Sequence, residues 1–184
     1  MIRGDFTLSS GAKSNYYIDG RLVTLDGEGA LAVAEAILER IGDRKVAAIG
    51  GLTMGADPIA GAVAAISAHQ GKPLRAFIVR KDTKKHGTQK LVEGPLLPGE
   101  PVVIVEDVVS TGASAIQAAE AVAAMKCPVV AVIALVDREM GATCCSARRG
   151  SATSRSSRRR NCWKCEMGSD PFTRNVPSRA ALEL

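Results

Sequence analysis

No apolar run in the 184 residues is long enough to span a bilayer, and Met1 opens no signal-peptide pattern. Thiols are nearly missing from the body of the chain, where Cys127 stands alone. The other four of five cysteines, Cys144, Cys145, Cys162 and Cys165, crowd into the tail. That usage suits a reducing compartment, so a cytoplasmic protein is expected. Net basic charge is missing from the body as well. Through Glu139 there are 15 Lys+Arg against 16 Asp+Glu, while residues 140–184 carry 9 bases and 3 acids. The formal +5 therefore belongs to the tail, and neither a specific nucleic acid nor a membrane is expected as partner. Two common phosphate-binding signatures are also absent: no glycine loop ends in Gly-Lys-Ser/Thr, and nothing reads G-x-G-x-x-G. No internal repeat is visible.

What is present alternates. Two short strands, FTL and YYID, flank a polar turn from Ser9 to Asn15. Gly29 to Ile41 has a helical period, with Leu31, Ala34, Ile37, Leu38 and Ile41 on one face. Val46–Ile49 reads as a buried strand ending at Gly50–Gly51. Asp57 as N-cap with Pro58 in the first turn opens a helix to about Gln70. Ala76–Val79, Val102–Val105 and Val129–Val136 are further strands, with a helix over Ser114–Met125 between the last two. A charged loop, Arg80 to Gly94, separates the first two of these. Strands alternating with helices predict an α/β fold with a doubly wound, mostly parallel sheet flanked by helices and one small N-terminal hairpin.

The most informative segment is VVIVEDVVSTGAS, Val102 to Ser114. A strand apolar at consecutive positions is expected to be covered on both faces. Glu106 and Asp107 then fall at its carboxyl end, where open α/β sheets bind ligands. Ser110, Thr111 and Gly112 offer hydroxyls and a closely approaching backbone, and the following helix offers orphan N–H groups. Acids suit sugar hydroxyls and the loop suits a phosphate. The plainer alternative is a strand–loop–helix junction with solvated acids and a Ser/Thr cap.

This segment resembles the diphosphoribosyl-diphosphate (PRPP) signature of the type I phosphoribosyltransferases. Three more segments, LSSGAKSNYYIDGR, VRKDTKKHGTQKLVEG and Val136-Asp137-Arg138-Glu139, are similar to counterparts in the orotate phosphoribosyltransferases, in order and spacing. The resemblance covers about residues 5–142 and implies the type I phosphoribosyltransferase fold with a hood hairpin. It implies transfer of phosphoribose from PRPP to orotate, giving orotidine 5′-phosphate and diphosphate in pyrimidine biosynthesis. By resemblance, Glu106 and Asp107 hold the ribose hydroxyls. Val108, Val109, Ser110, Thr111, Gly112, Ala113 and Ser114 continue the PRPP site, joined by Lys85. Arg80, Lys81, Lys84 and His86 are the catalytic cations that meet the leaving diphosphate. Arg138, Tyr16, Tyr17, Lys13 and Ser110 are the orotate-side residues. Mg²⁺ is implied as cofactor, carried by the diphosphate with no direct protein ligand. A homodimer is implied, with the Arg80–Gly94 loop shared between subunits. The Gly50–Met54 loop fits the diphosphate side.

The residues alone leave alternatives open. A lysine-rich loop between strands is often only a solvated turn, Arg138 could be a surface strand-end arginine, and Lys13 could be solvated. At least one of Tyr16 and Tyr17 is expected to pack within the hairpin. His69 reads as structural. Two departures from the family stand out: Ser9, and the position near Gly55, each lack a lysine that some members carry. The family's helical stretch before FTLSSG is also missing, so the N-terminus is expected to be short. The phosphoribosyltransferase domain is expected over 1–142. Residues 143–184 begin TCCSARRGSATSRSSRRRNCWKC, with six Arg and five Ser between 143 and 160. They are expected to be a disordered tail of frameshifted or vector-derived origin, without function. Its C-x-x-C lacks the context of a redox or zinc motif. Two other readings compete with the enzyme: a PRPP-fold nucleotide-sensing regulator without catalysis, and a purine phosphoribosyltransferase.

Overall fold

The computed structural model describes residues 2–7, 13–82 and 90–138. Lys84, Lys85, His86, Ser9 and the tail from residue 139 lie outside the described residues. Two strands, β1 (Ile2–Thr7) and β2 (Lys13–Tyr17), pair antiparallel as a separate two-stranded sheet. Then come α1 (Arg21–Thr24), α2 (Gly27–Ile41), β3 (Ala48–Leu52), α3 (Ala56–His69), β4 (Arg75–Val79), β5 (Val92–Glu93), β6 (Val102–Val109), α4 (Ala113–Ala124) and β7 (Val129–Asp137). The main sheet has the order β5-β4-β3-β6-β7, parallel except for the short antiparallel edge β5.

Alternation along the central strands builds two cores. Ile49, Val103, Val105 and Ala131 face α2 and α3, meeting Ala34, Ile37, Ile41, Ile59 and Val63. Ala48, Leu52, Val102 and Ile104 face the other way, with Phe77, Val79 and the alanine stripe Ala115, Ala118, Ala119 and Val122 of α4. The run Val102-Val103-Ile104-Val105 is wholly buried for this reason: each side chain has a helix layer to enter. At about 1.5–3 kcal/mol per large apolar side chain, these two layers supply the main drive to fold. The small α4 stripe lets that helix lie close to β6. Close approach also explains Gly50 and Gly51 inside β3. A Cβ on Gly50 would run into the Phe77 carbonyl oxygen, and one on Gly51 into the Val105 carbonyl oxygen and the Ala56 Cβ.

Several boundaries move from those the sequence suggests. β3 runs through Gly50–Gly51 to Leu52, since parallel pairing with β4 continues as far as Leu52↔Val79. β6 does not stop at Val105. It carries on through the acids to Val109, because β7 pairs with it up to Val109↔Asp137. Lys13 belongs to β2 rather than to the polar turn. α2 starts at Gly27, earlier than its apolar period, since the Asp26 carboxylate accepts from the Gly29 N–H at 2.9 Å. The α3 cap is not Asp57. Gly55 holds that position without a side-chain bond, and Asp57 sits in the first turn. The four-residue α1 and the two-residue β5 are too short for periodicity to reveal.

The two glycine classes give a paired test by thermal unfolding. Gly50→Ala should cost about 3 kcal/mol or prevent folding, through overpacking against β4. Gly61→Ala, in the α3 interior with open space around its would-be Cβ, should gain about 0.5–1 kcal/mol. Equal stability of the two variants would contradict this packing.

Candidate active site

The neighbours β3 and β6 define where the site lies. From β3 the chain moves through α3 to β4 on one side, and from β6 through α4 to β7 on the other. This is the reversal point at which open α/β sheets form a ligand crevice. Pairing between the two strands ends at Gly50↔Ile104, so the carboxyl half of β6 has no partner on its β3 side. Glu106 and Asp107 occupy that half.

The two acids differ in environment. Glu106 is buried, and its Oε1 has no hydrogen-bond partner. Burial raises its pKa from 4.5 to about 7, with the adjacent Asp107 carboxylate adding to the effect. Asp107 is half-buried, and its Oδ1 accepts from the Val108 N–H at 2.8 Å. It is wedged between two glycines. A Cβ on Gly20 would lie 2.8 Å from the Asp107 Cβ, and one on Gly55 would lie 2.5 Å from Asp107 Oδ1. The end of the hairpin and the turn after β3 therefore both touch this one side chain.

Below the acids the chain turns into α4 through Ser110, Thr111 and Gly112. Gly112 is the N-cap at φ 79°, a left-handed conformation that glycine takes without a Cβ penalty. The α4 N-cap makes no side-chain hydrogen bond, so its first-turn N–H groups are not capped by a local hydroxyl. On the β7 side, the Arg138 N–H donates to the Val109 carbonyl at 3.0 Å. The Arg138 side chain is buried, not the surface strand-end arginine that the local sequence allows. Its guanidinium lies 4.4 Å from the Tyr16 ring centroid, and its Nη2 donates to the Tyr16 carbonyl at 3.1 Å. This contact ties the hairpin to the sheet. Tyr17, the next residue, faces Phe6 within the hairpin at 5.6 Å between ring centroids. One tyrosine packs locally and the other meets Arg138.

The base of the charged loop is held firmly. β4 and β5 pair at Ile78↔Glu93 and Val79↔Val92, and the Arg80 N–H donates to the Leu91 carbonyl at 2.8 Å. Gln117 of α4 donates to the Lys81 carbonyl at 3.0 Å. Gly94 packs into this base, where a Cβ would meet the Ala76 carbonyl oxygen at 2.7 Å. His69 is exposed at the end of α3, away from these groups. Lys13 is exposed on β2.

Some neighbours of the acids carry little sequence signal. Arg21 forms a two-pronged pair with Asp19, Nε to Oδ1 at 2.8 Å and Nη2 to Oδ2 at 2.9 Å. The bond from Arg21 holds the Asp19 carboxyl below the usual carboxylate range. Thr53 Oγ1 donates to Asp57 Oδ2 at 2.6 Å, and the Thr53–Met54 peptide is cis. The Asp-Gly-Arg and Thr-x-x-x-Asp spacings were the available clues, and neither names a partner by itself. Among the described residues no group of three or more His, Cys, Asp or Glu side chains could hold a metal ion. No helix of the described residues is long and apolar enough to cross a membrane.

The buried Glu106 makes folding pH-dependent. Between about pH 4.5 and 7 the folded chain keeps a proton that the unfolded chain has lost, so stability falls as pH rises through this window. Glu106→Gln removes the titration. In thermal melts it should match the parent near pH 4.5 and exceed it at roughly pH 8 by about 2–3 kcal/mol. A difference independent of pH would contradict the buried-acid assignment.

Known proteins resemble this chain in sequence and fold. A phosphoribosyl transferase domain model matches residues 25–150. The orotate phosphoribosyltransferase of a Synechocystis species is 52% identical over 139 residues, 75% of this chain and 70% of that protein. The Streptomyces coelicolor orotate phosphoribosyltransferase is 48% identical, covering 77% of this chain and 78% of its own length. A crystal structure of the Mycobacterium tuberculosis orotate phosphoribosyltransferase in complex with PRPP superposes with a TM-score of 0.61 at 39% identity. That match covers 74% of this chain and 76% of the other. With the acid pair at the sheet's reversal point and the glycine-capped loop below it, the chain belongs to the orotate phosphoribosyltransferases.

Proposed function

We propose that this chain transfers phosphoribose from PRPP to N1 of orotate, with the residues in the following roles. Glu106 and Asp107 hold the ribose 2- and 3-hydroxyls. Ser110 to Ser114 take the 5-phosphate on hydroxyls and the α4 N-terminus. The observation that carries this reading is the buried Glu106 oxygen without a partner beside Asp107. An orphan acceptor costs free energy in the empty protein and is repaid by a hydroxyl donor from the ligand.

In the reaction the N1–C1 bond forms as the C1–oxygen bond to diphosphate breaks; the electron pair leaves with the diphosphate, and the proton lost from N1 of orotate leaves with it. Positive charge develops on the ribose ring and negative charge on the leaving group. Arg80, Lys81, Lys84, Lys85 and His86 neutralise the latter, and preorganised cations at such a point contribute strongly to rate. Mg²⁺ is the cofactor that the family resemblance implies, carried by the diphosphate. When bound, it neutralises charge on the diphosphate. Arg138 takes the orotate carboxylate, a planar pairing that lysine cannot make, and Tyr16 stacked on it borders the base. Ser110 and Lys13 complete the orotate side, with Tyr17 supporting the hairpin. The cytoplasm, and a homodimer sharing the Arg80–Gly94 loop, complete the proposal. The phosphoribosyltransferase unit ends near residue 142, and residues 143–184 carry no part of the activity.

The test follows orotate absorbance with PRPP and Mg²⁺. Orotate should be consumed, and Lys84→Ala should lower kcat by roughly 100-fold with PRPP still bound. Turnover of a purine base in place of orotate would overturn the base assignment. PRPP binding with no turnover of either base would favour the sensing regulator.

A further inference from the structure

The sequence pattern makes Asp57 look like a helix cap, but the structure gives it another task. Gly55 is the α3 N-cap, and Asp57 reaches back across the turn to accept the Thr53 hydroxyl at 2.6 Å. Thr53 is fixed on its other side as well, its N–H donating to the Val79 carbonyl at 2.8 Å. Val79 is the last residue of β4, directly before the Arg80–Lys81 cation pair. The same turn carries Gly55 against Asp107. Thr53 is thus held between the strand that leads into the cationic loop and the helix behind the ribose acids.

We propose that Asp57 is a positioning residue that locks Thr53, and through it the Thr53–Gly55 turn, in the shape that receives the diphosphate of PRPP. The inference rests on the proposed function and on the diphosphate side that the family resemblance gives the Gly50–Met54 segment. Three observations carry it. The carboxylate is spent on a side chain in the turn rather than on capping its own helix. Its second oxygen, Oδ1, is buried without a hydrogen-bond partner, a cost that capping would have avoided. The turn itself, Thr53-Met54-Gly55, carries no cationic side chain, and Met54 is 62% exposed. With no lysine there, binding on this side depends on how the turn is held, and holding it is what the Thr53–Asp57 bond does. Fixing a loop in its bound form raises affinity by removing the ordering cost.

The experiment uses the full chain and inorganic diphosphate with Mg²⁺, titrated by calorimetry, alongside steady-state KM values. Asp57→Ala and Thr53→Val should each weaken diphosphate binding and raise the PRPP KM by roughly tenfold, leaving the orotate KM and kcat within about twofold. The double variant should be no worse than either single, because the two remove one interaction. Asp57→Asn and Thr53→Ser, which keep an acceptor and a hydroxyl, should recover most of the affinity and report on the lock even where the larger changes impair folding. Variants that bind diphosphate as tightly as the parent, losses that add in the double variant, or an equal rise in orotate KM overturn the lock alone. A parent chain that binds no diphosphate overturns it together with the reading of the site.

Discussion

Everything in this molecule is arranged around a pair of carboxylates that the fold takes partly out of water. A buried carboxyl oxygen with no partner is among the more expensive features a small domain can keep. Glu106 sits beyond the last rung shared by β3 and β6. There β6 is still paired to β7, so its backbone is satisfied, yet its other side opens on the crevice. The fold provides a rigid strand and an unfilled flank at the same residues.

Rigidity around the pair comes from small residues and a few polar ties. Gly20 and Gly55 close on Asp107 from two directions, and Gly51 lets β3 lie against β6. Arg138 joins the hairpin to the sheet through the Tyr16 ring and carbonyl. Gln117 joins α4 to the foot of the cationic loop through the Lys81 carbonyl. The Ser110–Gly112 loop, the foot of the cationic loop and the acid pair therefore share one helix and one strand. A ligand that bridges them meets groups set by the same core, so little ordering is left to be done on binding.

Much of this was legible in the sequence. The strand–helix alternation, the Val102–Ser114 segment and the consecutive apolar positions of β6 follow from local pattern and from the chemistry of acids beside a glycine turn. The length of β6 was not legible, because Glu106 to Val109 look like a loop until β7 is alongside. The role of Arg138 was ambiguous for the same reason: burial and the Tyr16 contact, 122 residues apart in sequence, exist only after the hairpin folds over the strand end. Asp57 misled outright. Asp-Pro is a sound start signal for a helix, but a hydroxyl four residues earlier competes for the carboxylate and wins. Edge pairings such as β5 leave too few residues to register as a period.

The central claim is that Glu106 and Asp107 read the two ribose hydroxyls. Calorimetric titration with ribose 5-phosphate and with 2-deoxyribose 5-phosphate tests it without any turnover. The chain should prefer the ribose compound by roughly tenfold or more, since the deoxy compound leaves a buried acceptor unpaired. That preference should vanish when both acids are replaced by alanine. Equal affinity of the unaltered chain for the two sugars would contradict the account.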